Sequence, residues 1–144
     1  MVTVREMKAS DVEAVSEIEH EAFSMPWSSE DFLEMVEADY AHYYVAESNG
    51  RIVGCCGVRN LMGEGEITNV VVAASYRRQG IGRQMLEYLL REVKTLGIGD
   101  CTLEVRVSNT PAIRLYESLG FHGEGVRPRF YEKPVEDALI MWKR

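Results

Sequence analysis

Apolar and polar positions along this chain fall into blocks with two different periods. Val12, Val15, Ile18 and Ala22 recur at helical spacing behind the capping signature Ser10-Asp11-Val12-Glu13, which predicts a helix to about Phe23. Glu13, Glu17 and Glu21 follow at every fourth position and form a solvated face of that helix. The segment Ser24-Met25-Pro26-Trp27-Ser28 breaks it, and Ser28 or Ser29 caps a second helix with Phe32, Leu33 and Val36 on its apolar side. Strands are predicted at Thr3 to Met7, Tyr43 to Glu47, Ile52 to Arg59 and Ile67 to Val72. Asn49-Gly50 makes a hairpin turn, and Gly63-Glu64-Gly65 turns the chain again. Met85, Leu86, Leu89, Leu90, Val93 and Leu96 then form the clearest helical stripe, ending near Gly97. Thr102 to Val107 alternates as a strand. Thr110-Pro111 opens a short helix that Leu119-Gly120 closes. Phe121 to Val126 and Ala138 to Trp142 are the last two strands. Between them, Pro128 and Pro134 frame a loop holding Arg127, Arg129, Phe130 and Tyr131.

The resulting order, β-α-α-β-β-β-α-β-α-β-β, predicts a mixed α/β sheet with helices on both faces. At 144 residues the chain is the size of one domain and long enough to bury a core. Its formal net charge of -7 makes general nucleic-acid binding a poor expectation and suits cationic substrates such as amines or basic peptides. Cys55, Cys56 and Cys101 are odd in number, sit in apolar strand segments and lack metal-ligand spacing. Buried free thiols in a reducing, cytoplasmic setting are expected. His20, His42 and His122 are scattered, so no metal site is expected. Charges at Arg5 and Glu6 interrupt any signal-like start, and no apolar run reaches membrane length. Oligomeric state is not legible.

The chemistry concentrates at Val70-Val71-Val72-Ala73-Ala74-Ser75-Tyr76-Arg77-Arg78-Gln79-Gly80-Ile81-Gly82-Arg83. A β-branched run stops, a short polar loop follows, and a helix begins at once. Glycines admit close approach of a ligand to the backbone, and a helix start offers unpaired N–H groups at the positive end of its dipole. That combination is a phosphate cradle. The dinucleotide fingerprint fails because Met85 stands where its third glycine belongs. The Walker A loop fails because Arg83-Gln84 follows Gly82.

What remains, Arg77-Arg78-Gln79-Gly80-Ile81-Gly82, resembles the pyrophosphate-binding motif of the GNAT superfamily of N-acetyltransferases, which use acetyl-coenzyme A. The predicted element order is similar to the GNAT topology, so the resemblance covers essentially the whole chain and implies a mostly antiparallel sheet of about seven strands. Leu103-Glu104-Val105-Arg106-Val107-Ser108-Asn109, Ile113 to Phe121 and Met25-Pro26-Trp27-Ser28 resemble the bacterial ribosomal-protein-alanine N-acetyltransferases more closely. By that resemblance Glu104 is the general base and Tyr116 the general acid. Backbone groups of Val70, Val71 and Val72 hold the acyl arm, amides from Arg78 to Arg83 hold the pyrophosphate, and Asn109 reaches the coenzyme. Many GNATs have Gln where this chain has Arg77. Spacing alone places Glu104 on a solvated strand face and makes Tyr116 a core aromatic. Trp27 and Tyr131 are candidates for the peptide groove, with packing as the alternative. The implied reaction is direct acetyl transfer to the N-terminal alanine of a ribosomal protein. The alternatives are another amine acceptor or a non-catalytic acyl-coenzyme A sensor.

Overall fold

A computed structural model describes residues 1–144. Its centre is one seven-stranded sheet. The strands are β1 (Val2–Glu6), β2 (Ala41–Ser48), β3 (Arg51–Leu61), β4 (Glu64–Val72), β5 (Cys101–Arg106), β6 (His122–Tyr131) and β7 (Glu136–Lys143), ordered β1-β2-β3-β4-β5-β7-β6. All neighbours are antiparallel except β4 and β5, which run parallel. The helices are α1 (Val12–Ala22), α2 (Ser29–Glu37), α3 (Ile81–Thr95) and α4 (Thr110–Ser118). The predicted cap at Ser28 forms, whereas the capping box expected at Ser10 does not: a 3-10 turn, Ala9–Asp11, precedes α1 and turns the Asp11 carboxylate back to Lys8. Asp11 accepts from the Lys8 N–H at 2.8 Å, and Ser28 and Asp31 satisfy each other's backbone donors.

Strand alternation sorts the side chains into two cores. On one face, α3 buries Ile81, Met85, Leu86, Leu89 and Val93 against Val53, Val58, Leu103 and Val105, and α4 adds Tyr116. On the other, α1 and α2 bury Val15, Ile18, Phe32 and Met35 against Tyr43, Val45, Cys55 and Val71. The three cysteines are buried free thiols, as the sequence indicates. Glu13, Glu17 and Glu21 are exposed.

One expectation is corrected. The segment framed by Pro128 and Pro134 is not a loop from Arg127 onward: β6 continues through Pro128 to Tyr131, leaving 132–135 as the turn into β7. Proline lacks a donor for a central ladder, but β6 is the last strand of the sheet and its outer edge needs none. The pairing register shifts between Arg127 and Tyr131, which absorbs the irregularity.

The sheet is least continuous where β4 meets β5. Only Gly65 pairs with Cys101 and Glu66 with Thr102; beyond them the two strands separate. A bulge in β4 accompanies the parting. Two residues, Asn69 and Val70, stand opposite Cys56 of β3, and Asn69 takes a left-handed φ of 56°. A bulge bends its strand and strengthens the twist.

The N-terminal strand is fastened to α1 by charge. Arg5 donates to both Asp11 oxygens, at 2.8 and 3.0 Å, and its Nε donates to Glu47 at 2.8 Å. The Arg5 guanidinium holds the Asp11 carboxyl below its usual range. Such a group adds stability above its unfolded pKa, about 3.9, and loses it as pH falls through the depressed folded value. Asp11→Asn is therefore expected to cost about 1–2 kcal/mol at pH 7. Urea denaturation at pH 7 and pH 3 checks this, the difference from the parent shrinking at the lower pH.

Candidate active site

The parting of β4 and β5 exposes the β5-facing edge of Val70, Val71 and Val72. Their backbone groups on that side have no strand partner, which is the condition for binding an extended ligand or polarising a carbonyl oxygen. The chain then passes through a 3-10 turn, Ala74–Tyr76, into the glycine loop.

Gly80 is the residue before α3 and has φ of 79°, a left-handed conformation that disfavours a side chain. The first helical bond runs from the Gln84 N–H to the Gly80 carbonyl at 3.0 Å. The N–H groups of Ile81, Gly82 and Arg83 thus lie ahead of the helical ladder, and no acidic residue occupies the first turn. The Ile81 side chain is core, so only its backbone is available. A Cβ on Gly82 would meet Leu115 at 3.6 Å and Val72 at 4.0 Å, ordinary contacts. Protein packing does not demand glycine there, whereas an approaching phosphate does. These features fit the diphosphate of a coenzyme.

Two of the three arginines are already committed. Arg77 Nε donates to the Val72 carbonyl at 3.1 Å and latches the loop to the end of β4. Arg83 donates to Ser118 Oγ at 2.5 Å and ties α3 to α4. Arg78 and Gln79 are exposed, and Arg78 has φ of 63°. Asn109 caps α4, its Oδ1 accepting from the Ala112 N–H at 3.3 Å, which leaves its amide donors for another partner.

Glu104 and Tyr116 lie on opposite faces of the sheet. Leu103 and Val105 point into the α3 core, so Glu104 points to the α1 and α2 side. Its Oε2 is buried without a hydrogen bond, although Arg127 Nε lies 3.2 Å away in a non-donating orientation. The oxygen thus has a cationic neighbour but no hydrogen-bond donor. Tyr116 packs edge-on to Phe121 from α4. Burial, with smaller effects from Tyr131 and Cys56, raises its phenol well above the usual value, so it stays protonated and able to donate. Burial and the nearby Glu104 charge push Tyr131 up to about 12.

The two sequence candidates for the peptide groove, Tyr131 and Trp27, sit on different segments that meet across a hydrogen bond. Tyr131 lies under the Arg106 guanidinium at 4.5 Å, and Arg106 also donates to the Glu132 and Pro134 carbonyls at 3.0 Å. Hydrogen bonding to Ser108, then the Arg106 charge, holds Glu136 below the usual carboxyl range and fixes the start of α4 to β7. The other segment is the α1–α2 connection. Most of the Trp27 ring is engaged in packing, 5.3 Å from Phe32 and 6.1 Å from Tyr43. Ser24 Oγ donates to the Glu132 carbonyl at 3.2 Å and brings the two segments together.

Sequence reasoning missed Glu19, Asn69, Tyr43, Arg106 and Arg127 as contributors. Tyr43 donates to Asn69 Oδ1 at 3.0 Å and shares a hydrogen bond with Thr68 Oγ1 at 2.6 Å. A signal for Glu19 was present, because positions 12, 15 and 22 place residue 19 on the buried stripe of α1.

Residues 12–121 match the model of the acetyltransferase (GNAT) family. The chain belongs to the GNAT family. A Bacillus subtilis (strain 168) protein is 39% identical over 140 residues, 96% of this chain and 93% of that one. It bears provisionally the name of the ribosomal protein bS18-alanine N-acetyltransferase. The Escherichia coli K12 protein of that name is 35% identical over 143 residues, 98% of this chain and 96% of that one. The E. coli crystal structure superposes with a TM-score of 0.91 at 34% identity, covering 99% of this chain and 92% of that one. A Salmonella typhimurium protein solved with acetyl-CoA shares the fold at a TM-score of 0.87 and 22% identity, covering 99% and 92%. This GNAT chain is an acetyl-CoA-dependent acetyltransferase.

Tyr43 rests directly on Gly57, where an added Cβ would fall within its ring. Gly57→Ala is expected to cost about 1–3 kcal/mol by overpacking. Chemical denaturation measures that loss.

Proposed function

We propose that this enzyme transfers acetyl from acetyl-CoA to the α-amino group of an N-terminal alanine, on ribosomal protein bS18, in the cytoplasm. The observation that carries the reading is the Glu104 carboxylate oxygen, buried and undonated beside the gap between β4 and β5. On this reading an attacking amine donates to that oxygen, beside the Arg127 guanidinium that pairs with it. The names of the B. subtilis and E. coli relatives, at near-complete coverage, support the acceptor.

Acetyl-CoA supplies the activated acyl group as a thioester. On this reading the free edge of Val70, Val71 and Val72 holds the acyl arm, and the amides of Arg78 to Arg83 hold the pyrophosphate. The free amide of Asn109 donates to the coenzyme. Glu104 takes the proton of the α-ammonium, directly or through water, and the protonated Tyr116 gives one to the departing sulfur. No enzyme nucleophile is required. The cysteines suit none, since burial raises Cys55 and pushes Cys56 up to about 12 and Cys101, helped by Asp100, up to about 11. Trp27 and Tyr131 flank the acceptor's first residues.

The test is acetyl transfer to a short peptide beginning with alanine and continuing with basic residues, beside the same peptide with a blocked N-terminus. Transfer to the free peptide alone is expected. Transfer to both redirects the reading to lysine, and transfer to neither, with coenzyme binding intact, to a small amine or a sensing role. Glu104→Gln and Tyr116→Phe are each expected to lower kcat about 100-fold or more at neutral pH. An α-amino group has a reference pKa of about 7.7–8.0 and is mostly charged below it. The Glu104→Gln deficit therefore shrinks as pH rises through that value and more acceptor is already neutral. A pH–rate profile of parent and variant shows it.

A further inference from the structure

α1 turns three of its carboxylates, Glu13, Glu17 and Glu21, to solvent and one inward. Glu19 is 2% exposed. No lysine, arginine or histidine pairs with it. A buried charge without a counter-ion is expensive, and an apolar residue at this stripe position would serve the helix at lower cost. What Glu19 has instead is two neutral donors. The Trp27 backbone N–H donates to Oε2 at 2.6 Å, and Asn69 Nδ2 donates to Oε1 at 2.9 Å.

The two donors belong to the two sides of the reaction. Trp27 lies on the α1–α2 connection, the segment that meets the β6–β7 turn through Ser24 and Glu132. Its carbonyl is also taken, by Ser16 Oγ of α1 at 3.2 Å, so α1 grips the Trp27 backbone at both ends. Asn69 is the left-handed residue of the β4 bulge, directly before the Val70–Val72 edge. Its Oδ1 is occupied by the Tyr43 hydroxyl, so its amide can face Glu19 in one orientation only. One carboxylate therefore spans the α1–α2 connection and the Val70–Val72 strand.

Resting on the acetyltransferase reading above, we propose that Glu19 is a positioning residue that sets the separation between the acceptor amine and the thioester. It touches neither reactant. Its effect passes through the Trp27 backbone on one side and the Asn69 bulge on the other. Displacement of about 1 Å between reacting groups costs about 100-fold in rate, so loss of this brace is felt in turnover.

The experiment compares the full chain with Glu19→Gln, Asn69→Gly and the double variant, by steady-state kinetics with the alanine-initiated peptide and acetyl-CoA, each corrected for folded fraction by thermal melting. Gln keeps the shape but presents an amide to one of the two N–H donors. Glu19→Gln is expected to raise the peptide KM about tenfold and lower kcat about tenfold, with the acetyl-CoA KM within about twofold of the parent. Asn69→Gly permits the left-handed backbone and releases the strand side, so kcat falls while the peptide KM moves less. The double variant is expected to lose no more than the worse single one, because both cut the same brace. A lower melting temperature with unchanged kinetics per folded molecule overturns the proposal, as does an equal rise in both KM values. Additive losses overturn it too. Should Glu19→Gln not fold, an unchanged kcat in Asn69→Gly alone overturns it. A parent enzyme that leaves the peptide unmodified overturns the acceptor reading and this inference with it, and differs visibly from a defect confined to the variants.

Discussion

The candidate site is organised around two parallel strands that stay paired for only two residues. A sheet normally satisfies its backbone groups by continuing its ladders. Here β4 and β5 are joined at Gly65–Cys101 and Glu66–Thr102 and then part, and both run on as strands held by their other neighbours. The separation leaves a row of backbone donors and acceptors unmatched in the middle of the protein. Glu104 lies on β5 beyond the last paired residue, and Tyr116 lies in the core on the α3 side of the sheet. Helix α3 begins at the end of that gap, where a side chain in place of Gly82 would meet Val72 and Leu115.

The opening is held rigidly on both rims. At the glycine loop, Arg77 ties the loop to Val72 and Arg83 ties α3 to α4, so two side chains that read as anion ligands also have structural work. At the β6–β7 end, Arg106 collects the carbonyls of the turn while its face covers Tyr131. Charges in this region act mainly as fasteners between elements distant in sequence, which is why their roles emerge only in three dimensions.

The fold was largely legible because its strongest elements are local. The α3 stripe, the Asn49-Gly50 turn and the cap at Ser28 each depend on neighbours within a few residues. The glycine loop was legible for the same reason, its conformation being written in Gly80 and the helix that follows. The extension of β6 was not, because prolines signal a loop unless the strand is known to lie at an edge. The Asn69 bulge was not, because an asparagine inside Ile67–Val72 takes a left-handed φ only through contacts with Tyr43 and Glu19, 26 and 50 residues away. Glu19 itself stood on the apolar stripe of α1, a position where a carboxylate invites the question of what it binds. The arginine contacts to Glu104 and Tyr131 join β5 to a hairpin over 20 residues later, beyond the reach of any local pattern.

The last strand has a consequence of a different kind. β6 is ten residues long, almost wholly exposed, and closes one side of the sheet. A bare strand of that length is a template on which another chain can extend the sheet. This one carries Pro128 with no N–H to offer, Arg127 and Arg129 as like charges that repel a second copy, and a register break that twists the edge out of line. The irregularities that disguised it as a loop are thus the same features that make this edge a poor template for pairing with another strand.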